Sequence, residues 1–337
     1  MALSLGLSVT LFLLTALLTW GWIKIAQIKK IHDTPERRRL HQRSIPRAGG
    51  ISIALLMIFT SLFILLKSDT SAYWLLVTTA IILYSVLGFW DDLKPLRSRT
   101  KLLLHVLVAL VIFLTAIVIL STSLMASITI FVAYLLLVNI WNFMDGSNGL
   151  VSMQSLIVAV GFILLSFFSV STYYFALALA VVCLGFLPFN FPVARVFLGD
   201  VGSHVLGAAV LGLAMLAYNE GQWTLLEMLC LTSAMWIDAV LTFIRRAFRG
   251  FTVTQAHRSH LYQYAIRTGK SHAAVCWYYA MWTLAMIAII GFNRQLPEGR
   301  QQILLLAVVT IACALHQWLR LIVLKSQRSP EIPKSLF

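Results

Sequence analysis

A chain of 337 residues that is 60% hydrophobic and 11% charged, with a mean hydropathy of +0.88, lies far outside the composition of a soluble domain and reads as a polytopic membrane protein. Its formal charge of +14 would suit nucleic acid, but helices this closely spaced leave no room for a nucleic-acid fold. A positive-inside bias and attraction to anionic membrane lipids account for the excess instead.

The expected fold is all-α: a single polytopic membrane domain of about 11 transmembrane helices, each run of roughly 16 to 22 apolar residues long enough to cross a ~30 Å hydrocarbon core. The first run, 3–23, lacks a basic n-region and is followed by cations, so it is expected as a retained helix with the N-terminus outside and the chain starting near Met1. Eight cations follow it, from Lys24 to Arg47. Ile45-Pro46-Arg47-Ala48-Gly49-Gly50 then leads into the second run, 51–66. The paired glycines permit close backbone approach, and Arg47 suits a phosphate clamp, although Pro-Gly punctuation before a helix is common.

The third run, 72–90, stops at Trp90-Asp91-Asp92-Leu93-Lys94, followed by Arg97, Arg99 and Lys101 before the fourth run, 102–120. Adjacent carboxylates repel and gain from a metal or lysine partner, the bland alternative being a solvated loop of mixed charge. The fifth run, 126–141, ends in a segment carrying Asn139, Asn142 and Asp145, spaced by three and so on one helical face, and then Gly146, Asn148 and Gly149 before the run 150–169. After 173–190 come Arg195-Val196-Phe197-Leu198-Gly199-Asp200-Val201-Gly202-Ser203-His204, opening the run 204–218. Asp200 suits Mg²⁺ and equally suits a helix N-cap. The GxGD pattern of intramembrane aspartyl proteases fails here, because Phe197 holds the first glycine position.

The run 223–244 contains Asp238, and a long inner loop follows with Arg245, Arg246, Arg249, His257, Arg258, Ser259 and His260. This set suits a diphosphate clamp better than a transition metal, since no carboxylate follows the His-x-x-His pair within helical reach. The runs 273–292 and 302–324 complete the chain. Cys183, Cys230, Cys276 and Cys313 lie in apolar runs without CxxC or Cys/His metal spacing and read as packing residues.

With the N-terminus outside, 23 of the 26 lysines and arginines fall on the cytoplasmic side, leaving only Lys67, Arg294 and Arg300 outside; the C-terminus is then cytoplasmic. All three carboxylate-bearing stops, at Asp91-Asp92, Asp145 and Asp200, share that face. The polar loops at about 25–50, 91–101, 139–150, 190–204 and 245–271 are therefore expected to build one site. A transporter or lipid flippase is the competing class, but its polar groups tend to lie near the midplane in broken helices, and here only Asp238 does.

The ordered combination of DDxxK at Asp91 to Lys94, NxxNxxDGxxGL at Asn139 to Leu150, VFLGDVGS at Val196 to Ser203 and a histidine-containing fifth loop resembles the polyprenyl-phosphate N-acetylhexosamine-1-phosphate transferases (glycosyltransferase family 4) over about residues 30–270. Within that family it looks like the bacterial enzymes that initiate O-antigen and related surface polysaccharides. The resemblance implies a multi-pass enzyme of the bacterial inner membrane with a cytoplasmic site. Such an enzyme moves a sugar 1-phosphate from a UDP-N-acetylhexosamine (GlcNAc, or a deoxy relative such as FucNAc or QuiNAc) to undecaprenyl phosphate. It would use Mg²⁺, with Mn²⁺ as a substitute, release UMP, and be compatible with a homodimer.

By matching position, the resemblance assigns Asp91, Asp92 and Asp145 to the catalytic set. Asp91 and Asp92 would handle the lipid phosphate, Asp91 as base or nucleophile. Asp200 becomes the Mg²⁺ ligand. Asn142 and Asp145 fall in the nucleotide pocket with Phe197 against the uracil. Arg47 and Lys101 lie near the phosphates, and His257, Arg258 and His260 hold the diphosphate or sugar. Asp238 matches a family carboxylate without a clear role. Asn148 stands where many relatives have a second Asp, and the HxHH pattern of the UDP-MurNAc-pentapeptide branch is absent.

Overall fold

The computed structural model describes residues 2–33, 44–68, 71–251 and 258–326. In hydrocarbon an apolar chain must satisfy its backbone internally, which favours helix, and the described residues form thirteen: α1 (Ala2–Ile28), α2 (Ile51–Lys67), α3 (Ser71–Leu93), α4 (Ser98–Val118), α5 (Leu124–Met144), α6 (Leu150–Leu164), α7 (Val170–Asn190), α8 (Gly199–Asn219), α9 (Leu225–Leu231), α10 (Ser233–Phe248), α11 (Leu261–Arg267), α12 (His272–Asn293) and α13 (Glu298–Ser326). A short antiparallel bridge of β1 (His32–Asp33) with β2 (Ile45–Pro46) sets His32 opposite Pro46.

The protein is an all-helical, multi-pass membrane protein. Among the described residues, eight helices are long and apolar enough to cross a membrane, and the pair α9 and α10 makes a ninth if taken as one span. The expected run 223–244 is thus not one straight helix: it breaks at Thr232 and bends by 85°. Helices α2 and α6 are apolar but shorter, with 17 and 15 residues, so length and composition alone give eight or nine spans where eleven are expected.

Helix α8 is the axis of the bundle. Its spanning window is 83% buried, against 17% for α1 and α13 at the lipid-facing rim. Small residues explain this, since without a hydrophobic drive between helices in lipid, close backbone approach supplies the packing. A Cβ on Gly207 would come within 2.9 Å of the Val138 Cα in α5, and one on Gly212 within 2.9 Å of Val77 in α3. Gly88 of α3 faces the backbone of Asp200 with no room for a side chain. The C-terminal ends of α3 and α5 and the N-terminal ends of α4 and α8 are thereby drawn together.

Candidate active site

The site begins with backbone. Phe197 N–H donates to the Pro46 carbonyl, while Gly49 and Gly50 N–H donate to the carbonyls of Phe197 and Leu198, each at 2.8 Å. This ladder fixes the segment bearing Arg47 beside the entrance of α8. The glycines are required by space: a Cβ on Gly49 would meet the Val196 side chain at 2.6 Å, and Gly50 packs on Gly202. Gly199 adopts φ +76°, and a Cβ there would fall 2.8 Å from the Ala48 nitrogen.

On this frame the four helix ends deliver one polar network. Asp92, buried in the last turn of α3, accepts from Arg47 Nη2 at 2.8 Å and Nε at 3.2 Å through Oδ1, and from the Val201 N–H at 3.0 Å through Oδ2. Its carboxylate therefore ties the Arg47 loop to the α8 N-terminus, where negative charge is favoured. Asp91 accepts the Leu96 N–H at 2.6 Å and pairs with Lys101 Nζ at 2.9 Å. The same ammonium forms a close ion pair with Asp200 and donates to Asn142 Oδ1 at 3.3 Å. Asn142 Nδ2 in turn donates to Asp200 Oδ1 at 2.9 Å and to Ser203 Oγ at 3.1 Å. Arg47, Asp91, Asp92, Lys101, Asn142 and Asp200, separated by up to 153 residues in sequence, thus share one connected network.

Burial by itself would lower the Arg47 pKa, but the Asp92 carboxylate, with Asp200 and Asp33 behind it, raises it above the ordinary value. Asp145 closes α5 and accepts the Gly199 N–H; burial first, then the Asp200 and Asp92 carboxylates, push its carboxyl well above the usual range.

Among the described residues, no three His, Cys, Asp or Glu side chains gather in a metal-holding geometry. A Mg²⁺ site asks for less: one or two carboxylates, waters and substrate phosphate. Asp91 and Asp200 fit, because their Oδ2 atoms already converge on one cationic centre, Lys101 Nζ, and the Asp200 side chain is 22% exposed.

The remaining expected residues lie elsewhere. Phe197 is partly buried in the ladder. Asn148 sits in the turn before α6, its N–H donating to His272 Nδ1 at 3.3 Å and its Nδ2 to the Pro192 carbonyl at 3.2 Å. Asp238 heads a separate buried hub. Its Oδ1 accepts the Leu261 N–H at 2.8 Å and the Thr242 hydroxyl at 3.2 Å, and lies 3.3 Å from His316 Nε2 and 3.6 Å from His260 Nδ1. Its Oδ2 accepts the Tyr279 hydroxyl at 2.7 Å and the Tyr262 N–H at 3.3 Å. His260 is therefore turned to this hub. Arg258 is partly buried just before α11, and His257 lies outside the described residues. The hub touches the first network through Tyr262, whose hydroxyl donates to the Phe143 carbonyl at 3.0 Å and packs on Gly146.

Sequence reading left several participants without roles. Ser203 and His204 lay inside a quoted motif, and His105 and His204 fall four residues after Lys101 and Asp200, a spacing that puts each one turn deeper on the same face. Their rings meet edge-on at 4.7 Å, fully buried beneath the carboxylates. His272, His316 and Tyr279 gave no signal, since each joins its partner across distant helices.

Residues 73–218 match the model of glycosyl transferase family 4. Over 310 residues the chain is 29% identical to the phospho-N-acetylmuramoyl-pentapeptide-transferase of Carboxydothermus hydrogenoformans, covering 80% of this chain and 90% of that protein. Over 246 residues it is 32% identical to the undecaprenyl-phosphate alpha-N-acetylglucosaminyl 1-phosphate transferase of Thermotoga maritima, covering 71% and 75%.

Proposed function

The chain belongs to glycosyl transferase family 4, and on that premise we propose that it transfers an N-acetylhexosamine 1-phosphate from a UDP-sugar to undecaprenyl phosphate. The reaction releases UMP at the cytoplasmic face of a bacterial inner membrane and initiates a surface polysaccharide. An oxygen of the lipid phosphate attacks the sugar-bearing phosphorus of the diphosphate. The bridging P–O bond breaks, and UMP leaves with the electron pair. The similarity to two sugar-phosphate transferases supports this reading, and the observation that carries it is the convergence of Asp91, Asp92, Lys101, Asn142, Asp200 and Arg47 on one network.

Two polyanions must be brought together, so cations and hard oxygen ligands are what the chemistry needs. Lys101 and Arg47 offset phosphate charge, and Asp92 holds Arg47 in position. Asn142 orients Asp200 through its amide. Asp91 and Asp200 are the residues that would hold Mg²⁺, which supplies charge neutralisation on the phosphate oxygens when bound. A phosphate monoester with a second pKa of about 6 is largely ionised at neutral pH, so Asp91 acts by positioning and charge as much as by taking a proton.

The test is a purified enzyme assay in detergent with undecaprenyl phosphate and a panel of UDP-N-acetylhexosamines, following UMP and weighing the lipid product. The expected result is a product heavier by one sugar phosphate, with UMP release stopped by a chelator and restored by Mg²⁺. Turnover unaffected by the chelator would refute the metal assignment, and absence of product with every N-acetylhexosamine would refute the substrate class.

A further inference from the structure

A strongly basic cavity lies apart from the carboxylate network. Between α10, α13 and the start of α11 lies a cavity of about 170 Å³ lined by Arg245, Arg246, Arg249 and Arg320 together with Ser259 and Tyr264. Its described lining includes no carboxylate. Arg320 is only 6% exposed although it belongs to a helix that is otherwise largely lipid-facing. Among the described residues, no acidic side chain forms an ion pair with Arg245, Arg249 or Arg320. The nearest carboxylate hub, Asp238, is already engaged by His260, His316, Tyr279 and two backbone amides.

Arg245 and Arg320 are held in place by neutral groups. Arg245 Nη2 donates to Gln317 Oε1 at 3.0 Å, and Arg320 Nη1 donates to the Ser259 carbonyl at 2.8 Å. Arg246 lies over the Phe251 ring and Arg320 over Tyr264, at 5.2 and 4.9 Å. A guanidinium carries five donors in a rigid fork, so these single hydrogen bonds orient Arg245 and Arg320 without exhausting them. A cluster of like charges fixed around a cavity asks for an anion, and the fork suits phosphate.

The surroundings select the source. Phe248 and Phe243, 89% and 51% exposed, flank the cavity on α10, and Leu319 and Ile322 are exposed on α13. A soluble phosphate ligand has no use for apolar walls, whereas acyl chains do. Basic pockets between transmembrane helices are a recognised receptor for anionic headgroups. We infer that this cavity binds the phosphate of an anionic membrane lipid beside the enzyme's inner-leaflet end. The inference rests on the membrane assignment and not on the proposed transferase reaction, and its readout is binding.

The experiment is native mass spectrometry of the full chain in detergent, titrated with phosphatidylglycerol, phosphatidylcholine or inorganic phosphate. The unsubstituted chain is compared with Arg246→Gln/Arg249→Gln and with a charge-matched control, Lys24→Gln/Lys29→Gln. Phosphatidylglycerol should be retained over phosphatidylcholine, and the arginine pair variant should bind it about tenfold more weakly or worse, with the control unchanged. If that variant does not fold, Arg249→Gln alone, at the exposed end of α10, should still weaken binding by several fold. Equal retention of both lipids, or equal loss in the arginine and lysine variants, would overturn the assignment. Displacement of phosphatidylglycerol by millimolar inorganic phosphate would show a soluble-phosphate site instead, overturning the lipid source.

Discussion

At the scale of the residue, Asp200 is the group on which most of the network depends. It pairs with Lys101, accepts from Asn142 and opens to the exterior of the site. Asp200→Asn keeps the volume and the Asn142 contact but removes the charge that pairs with Lys101 and that the proposed Mg²⁺ would need. UMP release should fall by about 10²–10³-fold, a typical loss for one electrostatic group, while the thermal midpoint stays close to that of the parent protein. Parent-like turnover by the variant would remove Asp200 from the mechanism.

Gly199 tests the frame instead of the chemistry. At φ +76° its added Cβ would meet both Asp92 and the Ala48 backbone, so Gly199→Ala should cost about 3 kcal/mol or more and abolish activity with it. Gly250 has nearly the same φ, +72°, but open space around it. Gly250→Ala should cost only about 1 kcal/mol, and thermal unfolding of the two variants separates crowding from backbone strain. The carboxylates were legible in sequence because a charge in so apolar a chain needs a reason. The imidazoles of His105 and His204 were less so, because a histidine within an apolar run carries no such alarm, and only its four-residue offset from Lys101 or Asp200 marks it.

At the scale of the element, hydropathy located the apolar runs because an all-apolar helix in lipid has no amphipathic stripe to misread. It could not see the 85° break between α9 and α10, which contains no proline or glycine. Side chains support the break: Trp236 Nε1 donates to the Leu229 carbonyl at 2.8 Å, and Thr232 Oγ1 adds a second donor, at 2.8 Å, to the Met228 carbonyl that already accepts the Thr232 N–H. Such bonds depend on the folded partners and leave no pattern in the sequence. Beyond the break, Asp238 joins α10 to the start of α11, to Tyr279 of α12 and to His316 of α13. Its sequence position suggested a site residue of unclear role; its contacts are those of a structural hub. Asp238→Ala would strand two backbone amides, two imidazoles and two hydroxyls, and should destabilise by about 3–5 kcal/mol. A thermal midpoint unchanged from the parent would contradict the hub.

At the scale of the whole molecule, the site forms because helix ends that are far apart in sequence point the same way. The C-terminal ends of α3 and α5 meet the N-terminal ends of α4 and α8, so these helices run antiparallel in alternation, and their polar termini share one end of the bundle. A different polar set occupies other helix ends: Arg294 at the end of α12 pairs with Glu227 of α9 at 2.7 Å and stacks on Trp223 at 4.7 Å. The lysine and arginine bias would put the carboxylate end on the cytoplasmic side, where the proposed nucleotide sugar would be available. Labelling can decide this: Cys183, Cys230 and Cys276 are fully buried, and replacing the partly exposed Cys313 by alanine leaves a low background. Lys67 and Arg99 are both exposed, one the last residue of α2 and the other in the first turn of α4 beside the site. With a membrane-impermeant maleimide on spheroplasts, Lys67→Cys should label at once and Arg99→Cys only after lysis. The reverse pattern would put the carboxylates on the outer face, away from any cytosolic UDP-sugar, and the proposed reaction would fail with it.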